Sequence, residues 1–390
     1  MIGQRLRQLR LARGLSLQAL AAELGGIVTK QALSKYEHGR AQPSPVVLNK
    51  LAAALGVKAA HLWQEPSIRV DFIAYRKGSG LLKREQEKVE GLVKEALEER
   101  IRLQSLDQPV DGSSLLVKAL PVNSVEGAEG AAADLRSLWN LGLEPIDSVT
   151  GVLEDHLIHV LEIEVADKFD GISAVAYSDD SRVAAAVVTR RGLSGGRQRL
   201  NLAHELGHLV LNIADDVDEE QAAFRFAAAL LAPAQVVRRY VGQQRTYLGA
   251  EELLLLKRRF GLSLQALLYR LRDLGIVTES YYRQWCIDVN RLGWKRHEPA
   301  ELPPEQPQWL HRTVLRSLAE GLITHEEADR LLGKQPGTEV PLSLVARRSF
   351  MKLPIEERRR ILREQADRFA LHYEQDTEWR DMQGGDLIEY

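Results

Sequence analysis

Cysteine is nearly absent from this chain of 390 residues, which has only Cys286. No disulfide can form within the chain and no cysteine cluster can hold zinc, so any metal must rest on histidine and carboxylates. Long hydrophobic runs are missing as well. The richest, Phe226 to Val237, is broken by Pro233 and falls short of the ~18 uncharged apolar residues that a membrane span needs. The opening Met1-Ile2-Gly3-Gln4-Arg5 leads into a polar amphipathic pattern, unlike the apolar core of a signal peptide. These absences point to a cytoplasmic chain without a membrane partner. The length exceeds what one core fills and asks for about two to four domains.

Net charge is also small, −2, but the sum hides an asymmetry. Residues 1–65 carry nine Lys and Arg (Arg5, Arg7, Arg10, Arg13, Lys30, Lys35, Arg40, Lys50, Lys58) against Glu23, Glu37 and Glu65, a balance of +6 that leaves −8 for the rest. The N-terminal end is suited to an anion.

The pattern along the chain is that of a multidomain protein, mainly α with a small β-sheet. Residues 1–66 read as five short helices: Ser16 and Thr29 are helix caps, Gly14, Gly25-Gly26, Gly39 and Gly56 are stops, and Pro43-Ser44-Pro45 starts the fourth. Residues 67–118 form a connector whose Leu81–Leu106 stretch repeats apolar residues at helical spacing among dense charges, a solvated helix docked on a neighbour. Residues 119–300 turn to mixed α/β. Helices are expected at Ala128–Leu141, Val149–Glu154, Arg199–Asn212, Glu219–Leu231, Leu253–Phe260 and Leu264–Leu274, a strand at Ile158–Ile163, and a hairpin from Ile172–Tyr177 and Val183–Thr189. Glu298 to Gln308, rich in Pro and Glu, reads as a linker. Residues 301–335 return to helix from Gln308 to Leu332, Lys334–Thr338 breaks it, and 336–390 hold an amphipathic helix, Ile355–Tyr373, before an acidic end.

His204-Glu205-Leu206-Gly207-His208 carries the chemistry. On a helix, His at i and i+4 share one face and can bind one zinc ion, with the intervening Glu205 beside the attacking water as general base. Leu202, Leu206, Leu209 and Val210 make this helix otherwise apolar, where charged groups need a partner such as a metal, and Gly207 would keep bulk away from the ion. A catalytic zinc takes a third protein ligand, and the next helix offers Glu219 and Glu220. Manganese or another divalent ion also suits such ligands. Arg199 and Tyr177 are candidates to stabilise an oxyanion, Arg199 being equally suited to anchor the helix start; a substrate strand could pair along Val183–Thr189. His156, His159, His297, His311 and His325 lack ligand spacing and read as surface or hydrogen-bonded histidines.

From Leu120 to Gly333 the sequence resembles the ImmA/IrrE-type metallopeptidases. The motifs are Leu135-Arg136-x-x-Trp139 with Leu141-Gly142 and Pro145-Ile146, Phe169-Asp170-Gly171-Ile172-Ser173, Arg199-x-x-x-Ala203-His204-Glu205-Leu206-Gly207-His208, and Glu220-x-x-Ala223-x-x-Phe226-Ala227-x-x-Leu230-Leu231-x-Pro233. The resemblance implies a zincin-like α+β domain, Glu220 as third ligand beside His204 and His208, and limited cleavage of a helix-turn-helix repressor after stress or a mobile-element signal. Phe224 stands where the family often has Asn, and Ala232 where it often has Met.

The N-terminal end is similar to the phage-repressor (XRE or Cro/C1-type) helix-turn-helix family through Gln4-x-Leu6-x-x-Leu9-Arg10, Leu15-Ser16-x-x-x-Leu20-Ala21, Thr29 to Gly39, and Pro43 with Leu48-x-x-Leu51-Ala52-x-x-Leu55-Gly56-Val57. Such domains insert their third helix into the major groove. The resemblance thus implies operator DNA as partner, with Thr29, Lys30, Gln31 and Ser34 toward base edges and Gln18, Lys35 and Arg40 toward phosphates, while Glu37 serves the fold. A repressor protein is the alternative ligand of this domain, and a homodimer would fit paired half-sites. The tail, Leu353 to Tyr390, is similar to the C-terminal segments of small antitoxins, which implies a toxin partner; a helix docked on the peptidase explains it equally. Leu262–Gly275 hints at a second helix-turn-helix fragment or a core helix. Two functions remain open: a DNA-binding regulatory zinc endopeptidase that cleaves a repressor, or a transcriptional regulator or antitoxin whose zincin domain is a sensor or interaction module.

Overall fold

A computed structural model describes residues 2–73, 82–107, 112–165, 169, 171–295, 297–333 and 350–375. The Lys334–Thr338 breaker, the acidic end after Gln375 and Asp170 lie outside the described residues. The fold is mainly helical with a small sheet. In chain order the elements are α1 (Ile2–Ala12), α2 (Leu17–Glu23), α3 (Lys30–Glu37), α4 (Pro45–Ala54), α5 (Ala59–Trp63), β1 (Arg69–Phe72), α6 (Lys83–Asp107), β2 (Leu120–Val122), α7 (Gly127–Leu138), α8 (Val149–Asp155), β3 (Ile158–Ile163), β4 (Gly171–Ser178), β5 (Ser181–Arg190), α9 (Gly195–Val210), β6 (Leu211–Ile213), α10 (Glu219–Leu231), α11 (Ala234–Val241), α12 (Ala250–Phe260), α13 (Leu264–Asp273), α14 (Glu279–Arg291), α15 (Trp309–Ala319), α16 (His325–Leu332) and α17 (Ile355–Gln375). Among the described residues no helix is long and apolar enough to cross a membrane.

The five N-terminal helices begin where cap chemistry puts them. Ser16 Oγ accepts the Ala19 amide, Thr29 Oγ1 that of Ala32 and Ser44 Oγ that of Val47, each satisfying an amide that the first turn leaves unpaired. Leu6, Leu9, Leu20, Leu33, Leu51, Leu55 and Leu62 fill a core of their own. Glu37 accepts from Arg10 through both oxygens, at 2.6 and 2.8 Å, and so belongs to the fold.

The sheet runs β1-β4-β5-β3, with β1–β4 and β4–β5 antiparallel and β5–β3 parallel. The hairpin closes at Ser178 and Ser181. Alternation along β5 divides two cores: Ala185 and Val187 face α9 and its neighbours, whereas Ala184, Ala186 and Val188 face Val89, Val93, Leu97 and Ile101 of α6. Burial on both faces explains the nearly unbroken apolar run in β5. Helix α6 is thus docked on a neighbour through its apolar stripe, as its spacing suggests, and forms a structural layer over the sheet. On its other side α6 carries the helix-turn-helix domain. The buried Arg5 guanidinium reaches Glu98 through two bonds, Arg13 pairs with Glu95, and Arg84 donates to the Gly14 carbonyl. A Cβ at Gly91 would stand 2.5 Å from the Ala12 nitrogen, so glycine lets the two helices touch.

Other boundaries moved, one for a tertiary reason and two at local left-handed turns, at Asn140 and Gly321. The expected helix Arg199–Asn212 starts at Gly195 and ends at Val210, because Leu211–Ile213 turn into a strand parallel to β2. The expected Ala128–Leu141 helix stops at Leu138. Gln308–Leu332 is two helices, with Gly321 between them. His159 is neither surface nor hydrogen-bonded: it is buried against Trp309 with Nε2 unpartnered, and burial, aided by the nearby Arg100 charge, pushes its pKa down to about 3.

The Pro-rich stretch from Glu298 to Gln308 is a strap, not a free linker. Lys257 binds Glu298 at 2.8 Å, the Gly195 amide donates to the Leu302 carbonyl, Gln198 bonds both backbone groups of Glu305, and the Glu305 carboxylate takes Arg199 and the Thr150 amide. Glu305→Ala strands the buried Arg199 charge and is expected to lower stability by roughly 3–5 kcal/mol. The exposed Glu301→Ala should stay within about 0.5 kcal/mol. Urea unfolding of both variants checks this, and equal midpoints would restore the linker reading.

Candidate metal centre

Helix α9 lies between the sheet and α10, so the polar groups it carries are buried. His204, Glu205 and His208 are all buried beside Leu202, Leu206, Leu209 and Val210. Gly207 serves this packing rather than the space around an ion, since a Cβ there would meet Phe226 at 3.1 Å and Ala223 at 3.3 Å. Such groups need partners from neighbouring elements.

Helix α10 supplies two. Asp218 caps it, accepting the Gln221 amide, which sets Glu219 and Glu220 in the first turn where the helix dipole favours carboxylates. Glu220 Oε2 lies 3.5 Å from His204 Nε2, Glu220 Oε1 lies 3.5 Å from His208 Nε2, and the two Nε2 atoms are 3.1 Å apart. Ligand atoms bonded to one zinc at ~2.05 Å in a tetrahedron are separated by about 3.3 Å, so these residues fit a shared divalent cation. The three side chains form the group among the described residues that could hold a metal ion. Glu219 faces the other side of His208: its Oε1 is 3.3 Å from Nδ1 and 3.4 Å from Lys118 Nζ. Of the two carboxylates left open by the residue pattern alone, Glu220 thus meets both imidazoles and Glu219 backs one. Burial and the neighbouring His204 push the His208 pKa down against the pull of Glu220 and Glu219, so the imidazole is neutral, as a ligand must be, at neutral pH.

Glu205 is held from the sheet. Ser173 Oγ donates to its backbone carbonyl at 2.6 Å and lies 3.1 Å from Oε2, and Gly171 leaves room for its carboxylate, since a Cβ there would stand 2.6 Å from Oε1. Ser173 was not assigned a role from the sequence. The available signal was a hydroxyl in the fully apolar run Ile172–Val175, which a buried strand leaves unpaired unless something accepts it.

Of the two roles open to Arg199, the helix anchor is the one the structure shows: the side chain donates to the Ile146 and Asp147 carbonyls and pairs with Glu305. Tyr177 sits six residues along β4 from Gly171, roughly 20 Å at ~3.3 Å per residue, under the Arg69 guanidinium. The β4 side chain that reaches Glu205 is Ser173, four residues before Tyr177. Val183–Thr189 offers no edge to a substrate, because β4 and β3 occupy both sides of β5.

In the helix-turn-helix domain, Gln18, Thr29, Lys30, Gln31, Lys35 and Arg40 are exposed and Ser34 is half-buried. The Thr29 hydroxyl already serves as cap. The N-terminal charge excess is smaller at the surface than in the sequence, because Arg5, Arg10 and Arg13 are spent on Glu98, Glu37 and Glu95.

Removing Glu219 as Glu219→Ala is expected to weaken zinc binding about 10–100-fold by freeing the His208 ring. Glu220→Ala should weaken it further. Competition against a chromophoric chelator measures both, and unchanged affinity in Glu219→Ala would show that its contact with His208 is incidental.

Comparison with known proteins matches two separate parts of the chain. A helix-turn-helix family model matches residues 6–62, and the model of the IrrE N-terminal-like domain matches residues 155–272, a span that includes all of α9 and α10. Over 62 residues the chain is 42% identical to the SPbeta prophage-derived uncharacterized HTH-type transcriptional regulator YonR of Bacillus subtilis (strain 168). That match takes in 16% of this chain and 56% of the relative, so the chain spans little more than half the length of the curated protein it matches. The chain therefore carries an XRE-type helix-turn-helix domain at its N-terminus and, beyond it, a peptidase domain of the IrrE-like family.

Proposed function

We propose that the chain is a DNA-binding regulatory metallo-endopeptidase that cleaves a helix-turn-helix repressor. The observation that carries this is the convergence of His204, His208 and Glu220 within 4.8 Å, with Glu205 on the same helix. Zinc, or manganese in its stead, held by those three side chains would supply Lewis acidity toward water and the peptide carbonyl. Glu205 takes the proton from the attacking water and delivers it to the departing amide nitrogen. Ser173 fixes the rotamer in which Glu205 does so, and Glu219 fixes the ring of His208. The strap supports a peptidase domain that runs through Gln308 rather than ending at 300.

Glu205→Gln in the zinc-loaded protein is expected to lower cleavage of helix-turn-helix proteins encoded beside its gene by about 10²–10⁴-fold while zinc stays bound. Gel analysis of discrete products, with metal content measured in parallel, is the check. Regulation in the cell that survives this change would transfer support to the second reading, a transcriptional regulator whose zincin domain senses or docks. The relative's description as an HTH-type transcriptional regulator favours that reading for the N-terminal part.

For the DNA-binding end we propose that Lys30, Gln31 and Ser34 face base edges, that Gln18, Lys35 and Arg40 face phosphates, and that Thr29 orients α3 through its cap. Gln31→Ala is then expected to relax preference at one base pair by about 1–3 kcal/mol. Lys35→Ala should weaken binding to all sequences and reduce the salt slope by about one. Anisotropy titrations over a salt series on a selected operator distinguish these patterns; identical behaviour of the two variants would overturn the assignment.

A further inference from the structure

The sheet under Glu205 holds a second hydroxyl. Side chains along β5 alternate between the two cores, and Thr189 continues the Ala185 and Val187 series toward α9. Its cross-strand neighbours show the same face. On one side it is opposite Glu162 of β3, whose carboxylate takes Gln198 Nε2 of α9 at 2.7 Å. On the other it is opposite Gly171 of β4, where an added Cβ would stand 2.6 Å from Glu205 Oε1. Thr189 is 0% exposed, and its Oγ1 has no hydrogen-bond partner. It is the first polar side chain after the apolar run Val183–Val188, and a buried hydroxyl that pairs with nothing costs free energy.

Directly opposite residues of an antiparallel pair place their Cβ atoms about 5 Å apart on one face. Because residue 171 is glycine, the Glu205 carboxylate and the Thr189 side chain border the same space, the one a side chain at 171 would fill. Ser173, two residues along β4 on that face, holds the other oxygen, Oε2, at 3.1 Å. We propose that Thr189 is a second positioning residue for Glu205, joined to Oε1 through one buried water, the hydroxyl donating to the water and the water to the carboxylate. Such a bridge satisfies the buried hydroxyl. A carboxylate gripped at both oxygens does not turn about its last bond, so β4 and β5 together set the lone pair that takes the proton. The inference rests on the metallopeptidase reading for the role of Glu205 as base, and on the strand register for the contact itself.

The test combines unfolding and kinetics on the full-length protein. Thr189→Val exchanges the hydroxyl for a methyl group of similar size in a strand that favours valine. The variant is expected to unfold at a lower urea concentration than the unaltered chain, and in a Glu205→Ala background the same exchange should leave the midpoint unchanged or raise it. Glu162→Ala is the control background, in which the loss should persist. With zinc loaded, Thr189→Val is expected to lower kcat on the helix-turn-helix proteins encoded beside its gene about tenfold, with KM and zinc stoichiometry unchanged, and Thr189→Ser to recover most of it. A Thr189→Val midpoint at or above that of the unaltered chain, a loss that vanishes with Glu162→Ala instead of Glu205→Ala, or an unchanged kcat overturns the proposal. The unfolding cycle needs no proteolysis. Coupling of Thr189 to Glu205 in a protein that cleaves nothing would therefore keep the contact and lose the proteolytic reading, while cleavage at an unaltered rate in Thr189→Val would lose the positioning role alone.

Discussion

Burying ionisable groups in an apolar helix is the constraint on which the rest of this structure depends. His204, Glu205 and His208 lie on α9 among leucines, and each would cost several kcal/mol if left without a partner. Partners come from two directions: Ser173 from β4, and Glu219 and Glu220 from the capped start of α10. The close contact of Gly207 with Phe226 and Ala223 brings α10 near enough for those carboxylates to reach. Arg199, the strap and Gln198 fix the other end of α9. A divalent cation would complete the set.

The sheet gives α9 a firm floor because it is buried on both faces. Helix α6 closes the far face and at the same time carries α1 of the DNA-binding domain through Arg5–Glu98 and Arg13–Glu95. The side chains that seat that domain are drawn from its own excess of cations. Part of what composition presents as attraction for DNA is therefore structural charge, and the exposed Lys30, Lys35 and Arg40 are what remain on and just after α3. Buried ion pairs of this kind are poor evidence of stability in themselves, but removing one partner is costly, so they fix geometry.

Sequence reading was most reliable where the signal is local. Caps at Ser16 and Thr29, the turn of the Ser178–Ser181 hairpin, and the spacing of His204 and His208 all act within a few residues. It was least reliable where a long-range partner decides. The Pro-rich stretch around Glu305 has the composition of a linker, yet its hydrogen bonds go to residues more than 100 positions away. Helix α6 looks amphipathic whether its apolar stripe covers a neighbour or serves as one wall of a domain. Tyr177 and Arg199 have suitable chemistry for an oxyanion, and only distance and pairing remove them.

By itself the sequence determined the order of the domains, the cap and turn positions, and the presence of two imidazoles and a glutamate on one helix face, because helical and strand periods fix which neighbours share a face. Tertiary structure alone decided that Ser173 holds Glu205, that Glu219 backs His208 while Glu220 faces both imidazoles, and that Phe224 lies against His204. Those contacts join elements separated along the chain. Their distances follow from how α9, α10 and β4 pack, which no local periodicity encodes.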